Sequence, residues 1–218
     1  MQATRVAVLG VIAALLLIAP ASAQFGVRGG VNLSKFIGSD EVESETTKGL
    51  NLGLTMQILK LGPISIGPEL YYAQKGGKQF NPLAPGQAFE FDLAYVEVPV
   101  LAKLTIPLNQ SRTLSAYVAG GPAFAWEVDC SFSSTSAGTT TEVEDCEETF
   151  GSFDTAMKKA DRGIVASAGL NFGIGGLAGL HLDARMIRGL ARLNESDDGP
   201  DIKNQSFSLM LGYYLGVR

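Results

Sequence analysis

Alternation of apolar and polar residues runs through most of this chain. The clearest case is the stretch from 89 to 106, in which Val96, Val98, Val100, Ala102, Leu104 and Ile106 occupy every second position. The positions between them include Glu97 and Lys103. Because successive side chains of a β-strand point to opposite faces, this stretch predicts a strand with one apolar face and one face that carries charge.

Seven further segments repeat this two-residue period. With the first they cover residues 25 to 33, 50 to 58, 64 to 72, 89 to 106, 114 to 126, 164 to 174, 180 to 186 and 207 to 217. The connections between them alternate long and short, with short turns near 61 to 63, 107 to 112 and 175 to 176. This order predicts an up-and-down antiparallel sheet with plain turns at one end and long loops at the other.

The position of the charges favours a membrane barrel over a soluble one. The face opposite the apolar rows carries the charged or titratable residues Arg28, Glu69, Glu97, Lys103, His181, Asp183 and Arg185. A lipocalin-like calyx would turn the apolar rows inward, but an eight-stranded interior is only wide enough to be filled by side chains. We therefore predict an all-β fold, an eight-stranded antiparallel up-and-down transmembrane β-barrel with an apolar exterior. On the apolar faces, Tyr72, Trp126 and Tyr213 fit interfacial aromatic girdles.

The first 23 residues have the features of a secretory signal. Arg5 precedes an apolar run from Val6 to Ala19, and the small residues Ala21, Ser22 and Ala23 follow. This run is shorter than the roughly 20 residues that a membrane-spanning helix needs. We expect a signal peptide over residues 1–23 with cleavage near Ala23, and a barrel domain over residues 24–218.

Charge and cysteine content narrow the function further. The net charge of −5 and the lack of a basic stripe argue against a nucleic-acid partner. Cys130 and Cys146 are the two cysteines, and in an exported protein they suggest a disulfide, worth about 3 kcal/mol for a loop of this length. The alternative is a pair of free or metal-bound thiols, although no histidine lies near them in sequence.

Four sequence motifs resemble a known family. GVRGGVNLSKF at 26–36, GPELYYAQKGGK at 67–78, YVEVPVLAK at 95–103 and AGGPAFAW at 119–126 are similar to the outer-membrane β-barrel domain of PorT-like "porin family" proteins of Bacteroidota-type bacteria. The resemblance covers essentially the whole predicted mature chain. It implies a small outer-membrane barrel similar in shape to OmpA and OmpX, and it implies little chemistry.

We expect the charged and titratable residues of the inner face to stabilise the barrel rather than to catalyse a reaction. His181 and Asp183 lie two apart on one face and could form a base oriented by a carboxylate, but no nucleophile motif accompanies them. We expect Arg28, Lys103 and Arg185 to pair with Glu69, Glu97 and Asp183 in a plugged lumen, because buried charges need partners. His181 belongs to the same lumen set.

The predicted loops are acidic. Of the 22 acidic residues, 15 lie in segments 35–48, 128–160 and 191–203. Such a surface could attract hard cations, but it has no calcium-loop spacing, so a solvated acidic surface is the simpler interpretation. We expect no cofactor, no metal site and no catalytic residues.

Three functions remain open from the sequence. The first is a structural or interaction protein of the envelope, which contacts lipid and an outside partner through its loops. The second is a narrow passive channel, and the third is an outer-membrane enzyme. Within residues 89–106, Pro99 cannot donate to a β-ladder, so we expect a bulge or a missing ladder bond there.

Overall fold

The residues that the structure describes form one sheet of ten strands. The computed structural model describes residues 24–38, 44–80, 87–136, 139–143, 159–174, 178–193 and 201–215. The strands are β1 (Gln24–Ile37), β2 (Thr47–Gln57), β3 (Leu59–Leu61), β4 (Ile64–Phe80), β5 (Ala88–Pro107), β6 (Leu114–Ser136), β7 (Thr139–Val143), β8 (Ala160–Ile174), β9 (Ala178–Gly189) and β10 (Lys203–Leu215). In these residues there is no helix with the length and apolar character to traverse a bilayer.

Eight of the strands close into a ring. The hydrogen-bonded order is β1, β2, β4, β5, β6, β8, β9 and β10, and β10 returns to β1 through 13 paired residues from Phe25↔Leu215 to Ile37↔Lys203. Every pairing is antiparallel. After a break at Ile58, β3 continues β2, and β7 pairs with the far end of β6 outside the ring. The predicted eight-stranded antiparallel barrel is confirmed.

The apolar rows point outward. Val27 on β1 is 53% exposed and Leu211 on β10 is 68% exposed, whereas Asn32 and Asp183 on the opposite face are fully buried. Tyr72, Trp126 and Tyr213 are also exposed on the outer surface. The soluble calyx alternative is therefore wrong, because it requires the opposite orientation of the two faces.

Several strands extend beyond the predicted segments at the long-loop end. Residues 128–136, expected to be irregular, belong to β6, and residues 139–143 form β7 against them. Serine and threonine dominate this hairpin, and threonine suits strands because of its branched Cβ. A Ser/Thr-rich composition favours a loop, but it also fits a solvated two-stranded extension.

The ladders of residues 89–106 are interrupted beside Pro99 on both sides. Toward β6, Pro99 pairs with Ala123 and the next pair is Ala102↔Gly120, with no change of register; the bulge between these strands lies at Ala94/Tyr95. Toward β4, the paired residues are interrupted between Pro68↔Val100 and Tyr71↔Glu97. The ladder is thus broken beside Pro99, which agrees with its missing N–H group.

The β2–β4 seam is the shortest ladder of the ring. It contains five paired residues, from Asn51↔Ala73 to Thr55↔Glu69. Toward the long loops, side chains of β1 bind the β4 backbone instead: Asn32 Nδ2 donates to Gln74 O at 2.7 Å, and Gly76 N donates to Ser34 Oγ at 2.8 Å. A cavity of about 260 Å³ borders this seam, with Thr47, Lys75 and Leu93 in its lining. Side chains of β1 therefore take over part of the closure of the wall.

Candidate functional site

The centre of the lumen is crossed by an ion pair. Arg185 Nη2 on β9 donates to Glu69 Oε2 on β4 at 2.6 Å, and both side chains are almost fully buried. In the ring order β4 is third and β9 is seventh, so the two residues come from opposite sides of an eight-stranded wall. Two side chains from opposite walls can meet in this way only if the barrel interior is narrow.

Asp183 and Arg28 extend this pair into a cluster. Arg28 Nη1 lies 3.4 Å from Asp183 Oδ2 and 3.5 Å from Glu69 Oε1, and Arg185 Nε lies 3.3 Å from Asp183 Oδ1. Tyr117 donates a hydrogen bond to Asp183 Oδ2. Each carboxylate thus contacts both guanidinium groups, which offsets the large desolvation cost of four buried charges.

Two tyrosine rings and a lysine complete this group. We call it the central cluster; its members are Arg28, Glu69, Tyr71, Lys103, Tyr117, Asp183 and Arg185. Tyr71 OH donates to Glu69 Oε2 at 3.1 Å, and the Arg185 guanidinium lies 4.8 Å from the centre of the Tyr71 ring. Lys103 Nζ lies 4.7 Å from the centre of the Tyr117 ring. No carboxylate of the described residues comes within 4.0 Å of Lys103, so its predicted carboxylate partner is replaced by a ring face.

Glu97 lies outside this cluster. It pairs with Lys75 of β4, and both side chains are 2% exposed. Lys75 Nζ also lies 5.4 Å from the centre of the Tyr95 ring. The predicted third segment ends at Tyr72, so the sequence prediction does not include Lys75. Continuing the same two-residue period through Ala73 would have placed Lys75 on the inner face.

His181 is not coupled to Asp183 in the way that a general base would require. Its Nδ1 lies 2.6 Å from Asn171 Oδ1, and its ring packs against the Tyr214 ring with centroids 4.5 Å apart and planes tilted by 37°. The amide nitrogen of Asn171 donates to Ser115 Oγ at 3.2 Å. His181 is therefore a packed polar residue near the short-turn end of the lumen.

Inward-facing glycines make room for the bulky residues of the clusters. Gly169 pairs directly with Tyr117, and Gly53 pairs directly with Tyr71. A Cβ atom at Gly169 would lie 2.5 Å from the Tyr117 hydroxyl oxygen, and one at Gly53 would lie 2.2 Å from the Tyr71 ring. The tyrosine side chains thus lie over the backbone of the neighbouring strand.

An apolar group closes the lumen toward the long loops. This apolar cap consists of Phe36, Leu93, Tyr95, Ala125 and Leu193. Leu193 comes from the connection after β9, is 1% exposed, and is held by a backbone hydrogen bond from its nitrogen to Ile202 O at 2.8 Å. Leu193, in the described part of the connection between β9 and β10, therefore covers part of the barrel mouth.

Most of the predicted loop features lie outside the residues that the structure describes. Cys146 is outside the described residues, so the Cys130–Cys146 disulfide stays a prediction, as does the signal peptide over residues 1–23. Most acidic residues of the three loop segments are likewise outside the described part. At the rim, Asp201 accepts a hydrogen bond from Lys203 Nζ at 2.5 Å, which lowers the pKa of its carboxyl group. In the described ranges, no three His, Cys, Asp or Glu side chains come together in a way that could hold a metal ion.

Comparison with known proteins gives a family and a fold. The family model "Outer membrane protein beta-barrel domain" matches residues 18–195. A search of curated proteins gives no match. Among solved structures, the chain is similar to Neisserial surface protein A (NspA), with 13% identity, TM-score 0.47, and coverage of 88% of this chain and 96% of that one.

Two other solved structures show the same level of similarity. The attachment invasion locus protein Ail of Yersinia pestis is 15% identical with TM-score 0.42, covering 89% of this chain and 99% of that one. OprG from Pseudomonas aeruginosa is 12% identical with TM-score 0.45, covering 91% of this chain and 99% of that one.

Proposed function

Because the chain belongs to the outer membrane protein beta-barrel domain family and lies in the bacterial outer membrane, we propose that it is a non-conducting structural or interaction protein of the envelope. Its lumen serves as a rigid polar core, and its long-loop end is the part that meets other molecules. The observation that carries this proposal is the bond between Arg185 and Glu69, which joins opposite walls of the barrel.

Two features support a lumen that does not conduct. The central cluster places four charged side chains in mutual contact and Lys103 against the Tyr117 ring, and the apolar cap covers the end that leads to the long loops. An ion that crossed would have to displace the Arg185–Glu69 pair and then pass the apolar side chains around Leu193. Both steps carry a high desolvation cost.

Ion permeability tests this half of the proposal. Purified full-length protein is reconstituted into planar bilayers, and we expect no discrete current steps, while a general porin in the same bilayers gives them. Steps of reproducible size from the wild-type barrel would overturn the proposal in favour of the passive channel.

A crosslinking experiment tests the interaction half. A photoreactive amino acid replaces Thr140 on the exposed β6–β7 hairpin, and in a matched variant it replaces Ser111 in the short turn before β6. On intact cells we expect a discrete adduct from position 140 and none of the same size from position 111. Adducts equal at both positions, or none at position 140, would contradict a role for the long-loop end.

A further inference from the structure

The outer surface of five adjacent strands carries charge of one sign only. On β8, β9, β10, β1 and β2, the outward positions are apolar up to Ile164, Met186, Phe207 and Leu33, and the residues beyond them are basic or neutral. We define the basic arc as Arg162, Arg188, Lys35 and Lys48. No Asp or Glu occupies an outward position of these strands as the structure describes them.

The register makes the basic arc continuous. Lys35 pairs with Gln205 and Gln205 pairs with Arg188, so these three outward side chains form one row. Lys48 is opposite Leu33, the outward neighbour of Lys35, and Arg188 is opposite Ile164, the outward neighbour of Arg162. With neighbouring strands about 4.8 Å apart, four intervals extend the arc over about 19 Å of the barrel circumference.

The four side chains are available for binding. Each is exposed, and none forms an ion pair with any of the described residues. Lys203, the other basic residue on this outer surface, is instead held by Asp201 at 2.5 Å. The four unpaired charges therefore remain a net positive surface at the rim.

The arc lies at the height of a membrane surface. From Leu215 to Gln205 on β10 there are ten residue steps, which at about 3.4 Å each and a tilt of about 40° rise about 26 Å. The outer apolar band of membrane barrels is about 25 Å tall. Trp126, which pairs with Ala160 two positions from Arg162, is 49% exposed at the same level, where tryptophan is enriched in membrane proteins.

Exposed acids lie on other strands of the rim. Asp92 on β5 and Asp129 on β6 are exposed, and both border the cavity beside the β2–β4 seam together with Lys48, so the positive surface is strongest at Arg162, Arg188 and Lys35. We propose that the basic arc binds the phosphate groups of a phosphorylated glycolipid in the outer leaflet. The fork of an arginine side chain matches a phosphate with two parallel hydrogen bonds, and lysine adds a point charge.

Native mass spectrometry of the detergent-folded full chain tests this assignment. The probes are diphosphorylated lipid A and the same lipid with both phosphates removed. We expect the wild type to retain the diphosphorylated form preferentially. Arg162→Gln/Arg188→Gln should weaken its retention by about 30-fold, since each basic residue at an anionic lipid surface contributes a factor of about five.

The matched control is Lys60→Gln/Arg112→Gln. It removes two exposed basic residues at the short-turn end, and it should retain lipid A as the wild type does. Lys35→Gln/Lys48→Gln provides a second test variant if the arginine variant folds poorly on a heat-modifiability gel. Equal retention of the two lipids, an equal loss in the control, or displacement of lipid A by equimolar inorganic phosphate would each overturn the proposal.

Discussion

Replacing Glu69 by alanine should destabilise the barrel by about 4 kcal/mol. Glu69 accepts hydrogen bonds from Arg185 at 2.6 Å, Tyr71 at 3.1 Å and Arg28 at 3.5 Å. The first is a short charge-assisted bond worth about 2 to 3 kcal/mol, and the two longer ones are each worth about 1 kcal/mol or less. The sum agrees with the 3–5 kcal/mol typical of removing one partner from a buried ion pair.

The loss arises mainly from what remains behind. The central cluster holds three cationic groups, Arg28, Lys103 and Arg185, and two carboxylates, Glu69 and Asp183. Without Glu69 the excess of positive charge rises from one to two in a buried setting. Replacing both members of the pair, as in Glu69→Met/Arg185→Met, should therefore cost less than Glu69→Ala alone, because no guanidinium is then left without its partner.

Reversible unfolding by denaturant in lipid vesicles measures these free energies. The fluorescence of Trp126, the only tryptophan, reports on insertion because its side chain lies on the outer surface. Glu90→Ala, which removes a half-buried acid of β5 near the long loops, is the control and should change stability by less than about 1 kcal/mol. A Glu69→Ala loss no larger than that of the control, or a double variant less stable than the single one, would refute this account of the cluster.

Three further changes have defined outcomes. Glu97→Ala should lower the free energy of unfolding by about 3 kcal/mol and leave retention of lipid A unchanged. Adding Lys75→Ala should restore part of this loss in a double-mutant cycle. An unfolding temperature that Glu97→Ala leaves unchanged would contradict this prediction. Gly169→Ala should lower stability by about 1 to 3 kcal/mol, since its Cβ would overlap the side chain opposite, whereas a neutral effect would show that the wall yields. Cys130→Ser should abolish a mobility difference between reduced and oxidised protein that Cys146→Ser abolishes equally, and a wild type without this difference would exclude the bridge.

The fold was predictable from the sequence because a membrane barrel has an unusually strict pattern. Each outward position must be apolar, and the small lumen must be filled, so one alternation such as Val96 to Ile106 sets both faces of a strand. The strand ends were less predictable. Beyond the membrane both faces of a hairpin such as β6–β7 meet water, and the alternation that identifies a strand then disappears.

The candidate site was likewise predictable only in part. Alternation placed Arg28, Glu69, Asp183 and Arg185 on one face, and the structure brings these four into contact. The partner of Glu97 could not be chosen by pattern alone, since every inward charge was a candidate. Partner choice depends on the stagger of the strands around the barrel, and nothing in the alternation of a single strand encodes that stagger.

The short β2–β4 seam determines where we expect the barrel wall to open locally. The first and last described strands, β1 and β10, meet through 13 residue pairs, so we do not expect the barrel to fray first at this join. We expect amide hydrogen exchange to begin instead at Leu50, whose N–H group donates to the Gln74 side chain rather than to a backbone carbonyl. The wall would then open next to the 260 Å³ cavity, between the β2–β4 ladder and the Glu45↔Lys78 bridge, while the central ion cluster stays protected.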